Sequence, residues 1–184
     1  MADPALDSFP SQLADIRGGD RVAWEHTYRQ FAPSVLGYLR SQRVEDPDDL
    51  LADVWLQVVR DLGTFTGSAD GFRAWILRIA HNRLVDMRRA GARRIEEVPV
   101  ADVPEAADDG DPELPMEDPD ELDRLFAGVP PTQRAVLYLR YVLDLPQGEI
   151  AMILGSSLGA VKMQQRRGID AISARLDGSS SHES

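Results

Sequence analysis

Along most of the chain apolar residues recur every three to four positions, a period that predicts helices rather than strands. From Asp20 to Arg40, Val22, Trp24, Tyr28, Phe31, Val35, Leu36 and Leu39 stand at helical spacing, with Pro33 as a candidate kink. From Asp46 to Leu62 a second helix opens on Asp and Pro, as helix starts do, and carries Leu50, Leu51, Val54, Trp55, Val58 and Val59. Gly63, Gly67 and Gly71, with small polar residues between them, break the run. The stretch from Phe72 to Arg94 is helical again. Taking about 100° per residue, Phe72, Trp75, Ile76, Ile79, Ala80, Leu84 and Met87 share one broad arc that must face a core. Arg78, His81, Asn82, Arg88 and Arg89 gather opposite, and Arg83 falls inside the apolar arc, where it either snorkels or marks a bend. No segment alternates with period two long enough to make a strand, and no internal repeat is present.

The last third continues in the same manner. A helix from about Val129 to Leu145 is followed by a short one from Pro146 to Leu154, a Gly-Ser-Ser turn, and a longer helix from about Leu158. Two helices across a short glycine-containing turn, with small Ala151 where they cross, form a helix-turn-helix pattern. In the last helix Val161, Gly168, Ile169, Ile172 and Leu176 share an inward face, while Lys162, Met163, Arg166 and Arg167 point away with Gln164 beside them. Gln165 lies in the middle of the apolar face, so if buried it needs hydrogen-bond partners.

Charge changes the picture. The net charge of -11 is unfavourable for a nucleic-acid binder, but of the 31 acids 13 fall between Glu96 and Asp123, where there is no Lys or Arg; the remaining 18 meet 20 bases. That proline-rich acidic segment has the composition of a disordered linker and divides the chain in two. Seven arginines between Phe72 and Arg94, ending in Arg93 and Arg94, form the footprint of a phosphate binder, against the plainer reading of a solvated basic face. On the last helix Lys and Arg can hold phosphates, and Gln and Arg can pair with base edges in a major groove.

Other chemistry is sparse. With no cysteine there are no disulfides, thiol nucleophiles or cysteine metal sites, which suits a reducing cytoplasm. No apolar run approaches the roughly 20 residues that span a bilayer, and the first 20 residues lack the basic start and apolar core of a signal peptide. A soluble cytoplasmic protein is expected. His26, His81 and His182 are scattered without metal spacing, and Ser and Thr have no paired base. Asp49 and Asp53 are four apart but have no further ligand to complete a metal site, so neither a metal nor another cofactor is expected.

Four stretches, in order, carry a family resemblance: GDRVAWEHTYRQFAPSVLGYLR, DPDDLLADVWLQVVRDLGTF, FRAWILRIAHNRLVDMRRAGARR and LPQGEIAMILGSSLGAVKMQQRRG. The chain resembles the extracytoplasmic-function sigma factors of bacterial RNA polymerase, group 4 of the sigma-70 family and actinobacterial-like, which retain regions 2 and 4. The resemblance implies an all-α chain of two small helical domains. Region 2 would occupy residues 1–95, an acidic linker 96–123, the region 4 helix-turn-helix 124–177, and a disordered tail 178–184. It implies a non-catalytic specificity subunit that directs the core enzyme to promoters and opens them.

The resemblance also assigns roles. Asp49, Leu50, Asp53, Val54 and Gln57 would dock on the β′ clamp helices of core polymerase, and region 4 on the β flap. Phe65, Thr66, Gly67, Ser68 and Phe72 would line or shape a loop that receives a flipped base of the -10 element, with Asn82 contacting that DNA and Arg78, Arg83, Arg88 and Arg89 on its phosphates. Lys162, Met163, Gln164, Arg166 and Arg167 would enter the major groove of the -35 element. The common family pattern has Ser-Arg-Leu-His where this chain has Met163-Gln164-Gln165-Arg166, so base contacts do not carry over. The linker would thread the polymerase cleft and RNA exit path as an electrostatic mimic of nucleic acid, or serve only as a tether. An anti-sigma protein is an expected partner; a small-molecule substrate and membrane insertion are not. Two rivals remain: a stand-alone dimeric helix-turn-helix regulator, and a magnesium nuclease using Asp48, Asp49 and Asp53.

Overall fold

The computed structural model of the chain describes residues 9–92, 122 and 124–180. Most of the expected acidic linker, Arg93, Arg94 and the end of the tail lie outside the described residues. Among the described residues there are helices and turns and no strand. They form two compact units: residues 9–39 with 45–92, and residues 40–44 with 122 and 124–180.

The first unit contains α1 (Phe9–Arg17), α2 (Arg21–Ser41), α3 (Pro47–Asp61), a 3-10 turn (Leu62–Thr64) and α4 (Ala69–Ala92). α1 was not anticipated, although Phe9, Leu13 and Ile16 repeat at helical spacing and all three are buried. Asp20 starts α2, its Oδ1 accepting the Ala23 N–H at 2.8 Å. The helix then continues through Pro33, whose ring faces out. α3 begins as expected: Asp46 Oδ1 accepts the Asp49 N–H at 3.0 Å and Pro47 occupies the first turn.

The helices are drawn together by their apolar arcs. Phe31, Val35 and Leu39 of α2, Leu51, Val54 and Val58 of α3, and Phe72, Ile76, Ala80 and Leu84 of α4 are all buried, each contributing about 1.5–3 kcal/mol on removal from water for the larger side chains. Phe72 is the hub, with ring centroids of Phe9, Phe31 and Phe65 at 5.3, 5.2 and 5.0 Å. Met87, expected on the core arc, is 41% exposed, because it lies beyond the last buried turn at Leu84.

The second unit contains α5 (Pro131–Leu137), a π-helical segment (Tyr138–Val142), α6 (Gln147–Leu154) and α7 (Leu158–Ser180). The single helix expected before Leu145 is therefore an α-helix that widens into a π turn and stops at Asp144, which takes the left-handed φ of 49°. Gly155, at φ 59° and ψ 36°, ends α6, and the Ser156 N–H donates to Ala151 O at 2.9 Å. Ser157 Oγ then accepts the Ala160 N–H at 3.1 Å and starts α7. This is the expected helix-turn-helix. Gly168 lets α7 approach α5: a Cβ there would lie 2.8 Å from Leu137 Cδ1. Residues 178–180, expected in the tail, continue α7, whereas Leu176, expected on its inward face, is 51% exposed.

Candidate nucleic-acid interface

On α3, Asp49 and Asp53 are exposed, while Leu50 and Val54 are buried. The last two hold the helix from beneath and cannot present a surface, since their side chains belong to the apolar arc. Gln57 also turns inward, donating to Asp61 Oδ2 at 2.8 Å and accepting from Arg83 Nη2. That bond accounts for Arg83: the cation inside the apolar arc of α4 ties α4 to α3 through one nitrogen of its guanidinium. What α3 does present beside its acids is Leu56 and Val59, 55% and 56% exposed. Leu56 lay off the apolar stripe in the sequence, which was the available signal.

The glycine-containing loop divides in two. Phe65 and Phe72 are buried and shape it from within, the Phe65 ring packing on Phe72 and, at 5.2 Å, on Trp75. Thr66, Gly67 and Ser68 are exposed. Gly67 has φ 153°, and a Cβ there would meet Phe65 Cζ at 3.1 Å, so a side chain is disfavoured twice. Ser68 Oγ accepts the Gly71 N–H at 3.3 Å and begins α4.

On α4, Arg78, Asn82 and Arg89 are exposed and fall within about 40° of one another on the helix. Arg88 is half-buried, and burial lowers its pKa against the opposing influence of the Tyr38 phenol, which raises it. His81 departs from the expected basic face: its Nδ1 lies 2.9 Å from the Tyr38 hydroxyl of α2, and burial followed by the charge of Arg88 lowers its pKa. Tyr38 itself is held neutral by burial.

On α7, Arg166 and Arg167 are exposed, and Lys162 and Gln164 half-buried. Met163 is only 8% exposed although it stands opposite Val161 on the helix, contrary to the expected solvent-facing side chain; an apolar thioether gains by leaving water. Gln165 is buried and has the partners it needs, donating to Tyr141 Oη at 2.9 Å and accepting from Gln147 Nε2 at 2.8 Å. Sequence reasoning missed Arg175, whose guanidinium donates to the carbonyls of Ala127 and, at 2.7 Å, Leu125.

Among the described residues no three His, Cys, Asp or Glu side chains gather as a metal site, and no helix is long and apolar enough to cross a membrane. The molecule is thus a pair of helical units, one with an exposed acidic and apolar helix beside a basic helix and loop, the other a helix-turn-helix. Residues 27–94 match the family described as Sigma-70 region 2, and residues 120–172 that described as Sigma-70, region 4. The chain belongs to the extracytoplasmic-function sigma factors of the sigma-70 family, and it acts in promoter-specific initiation of transcription. It is 30% identical to the sigma factor ShbA of Streptomyces griseus, over 85% of this chain and 88% of that protein. It is 27% identical to BldN of Streptomyces coelicolor, over 94% of this chain and 69% of that protein. The fold is also that of the sigma factor RpoE solved with the anti-sigma factor NepR from Bartonella quintana, with TM-score 0.65, 16% identity, and coverage of 84% of this chain and 96% of that one.

Proposed function

We propose that the two units divide promoter recognition between them and that α3 attaches the chain to core polymerase. The observation that carries this reading is the alignment of Arg78, Asn82 and Arg89 on one exposed line of α4, beside the exposed loop Thr66–Gly67–Ser68. Basic side chains along a helix hold phosphates, and short polar loop residues with free backbone groups suit an extruded base. Arg88, half-buried and about 80° or more round the helix from that line, would reach the same backbone by the length of its side chain. On α7, Lys162, Gln164, Arg166 and Arg167 would meet the -35 element, with Met163 left out while it is covered.

Asp49, Asp53, Leu56 and Val59 make a mixed acidic and apolar surface suited to a protein partner rather than DNA. Core polymerase, through its β′ clamp helices, is the proposed occupant, and the β flap the partner of the second unit. RpoE, the structural neighbour, is seen with an anti-sigma factor, which supports a regulator of that kind here. The chain itself would be non-catalytic and cytoplasmic, the polymerase performing the chemistry.

Transcription from a library of random promoters by purified core enzyme, with and without this protein, tests the reading. Start sites that depend on it and share two motifs at fixed spacing are expected. Asp53→Arg should abolish core binding, and Arg78→Ala with Arg89→Ala should weaken promoter binding while sparing core binding. Tight binding to palindromic DNA without polymerase, and no dependent start sites, would favour the stand-alone regulator.

A further inference from the structure

Arg17 is the last residue of α1, and its side chain serves another element altogether. Its Nε and Nη2 lie 3.4 and 3.2 Å from Leu62 O, and Nη2 also donates to Phe65 O. α1 is itself pinned by Phe9, Leu13 and Ile16, so the guanidinium projects from a fixed base. Leu62 O and Phe65 O bracket the 3-10 turn and the residue that leads into Thr66, Gly67 and Ser68. A cation suits this place, where backbone carbonyls at the end of a helical run carry partial negative charge. The planar fork of Arg can serve two carbonyls at once, which an ammonium does less well.

We propose that Arg17 is a positioning residue for the DNA-facing loop. The stem of that loop is held from two sides: the Phe65 ring is locked against Phe72 and Trp75, and the Phe65 carbonyl is locked by Arg17. Between these anchors and the start of α4, where Ser68 Oγ accepts from Gly71, only the exposed residues remain to receive a base. A loop held in one conformation before DNA arrives loses less conformational entropy on binding than one ordered by the DNA itself. The inference rests on the reading that this loop meets the -10 strand, and the test separates the two.

The assay uses the full chain bound to core polymerase and a fluorescent single-stranded DNA carrying the -10 motif recovered from the promoter library. Arg17→Ala, Arg17→Lys and Thr66→Glu are compared with the parent, each well below its unfolding temperature. Arg17→Ala is expected to weaken the single strand roughly tenfold, the effect of ordering one or two more loop residues on binding, with core affinity unchanged. Arg17→Lys should fall between. Because Arg17 acts through the loop, the slope of log affinity against log salt should stay as in the parent; a slope smaller by about one would make Arg17 a direct phosphate ligand and overturn the proposal. Parental DNA affinity in Arg17→Ala alongside weakened binding in Thr66→Glu would leave the loop at the DNA and remove Arg17 from its positioning. Parental affinity in both would refute the reading of the loop, and the proposal with it. Loss of core affinity by the same factor as DNA affinity would reduce Arg17 to a general structural role.

Discussion

Gly168→Ala adds a single methyl group where α7 crosses α5. The new Cβ would lie 2.8 Å from Leu137 Cδ1, 3.1 Å from its Cγ and 3.3 Å from Gln133 Cβ. Leu137 has no exposed surface, so its side chain cannot swing into solvent to make room. Forcing a methyl into a filled core costs about 1–3 kcal/mol, and Ala recovers about 1 kcal/mol over Gly in a helix. A net loss of about 1 kcal/mol follows, a fall of roughly 5 °C in the unfolding temperature of a unit this size. Gly148, in α6 of the same unit, has nothing within 4 Å of its added Cβ and no left-handed φ, so Gly148→Ala should be neutral or slightly stabilising. Thermal unfolding followed by circular dichroism gives both shifts, and hydrogen exchange of peptides from residues 131–176 assigns them to the second unit. The opposite signs for one chemical change are the point of the pair. A Gly168→Ala variant as stable as the parent would mean that the two helices do not approach as closely as described.

Three further outcomes are expected. His81 has its pKa lowered from 6.5 by burial and by Arg88, so the unfolded chain binds its proton first on acidification; the stability due to neutral His81 is complete above pH 6.5 and is lost as pH falls toward the folded value. Unfolding temperature should therefore drop more steeply between pH 7 and 5 in the parent than in His81→Gln, and parallel curves would contradict the assignment. Arg175→Ala removes two charge-assisted hydrogen bonds to the carbonyls of Leu125 and Ala127 and should cost the second unit about 1–2 kcal/mol, measured by urea unfolding. Asp46→Ala deletes the side-chain acceptor at the start of α3 and should cost about 1 kcal/mol in the same assay, without removing any exposed side chain of the proposed polymerase-binding surface.

What was legible in the sequence was local. The starts of α3 and α7, the left-handed end of α6 and the apolar arcs depend on residues within a turn or two of each other, and the pattern carries that information directly. Arg83 and Gln165 were visible as polar exceptions to those arcs, whereas Arg17 and Arg175 did not stand out, and the partners of all four lay beyond the pattern. Arg83 reaches Gln57 across 26 positions, Gln165 reaches Tyr141 across 24, Arg17 reaches Phe65 across 48 and Arg175 reaches Leu125 across 50. No periodicity encodes such separations. A cation or amide placed on an apolar face has to be satisfied there, because leaving it bare in the interior costs more than the bond returns. That requirement predicts that a partner exists and leaves its identity to the fold. The same logic sorts the expected interface. Leu50 and Val54 are core because they lie on the apolar arc of α3, whereas Leu56 is exposed because it lies off that arc. A charge or amide on the apolar side of an amphipathic helix thus marks a tie within the fold, as Arg83 and Gln165 show, while a large apolar residue on the polar side, such as Leu56, stays exposed.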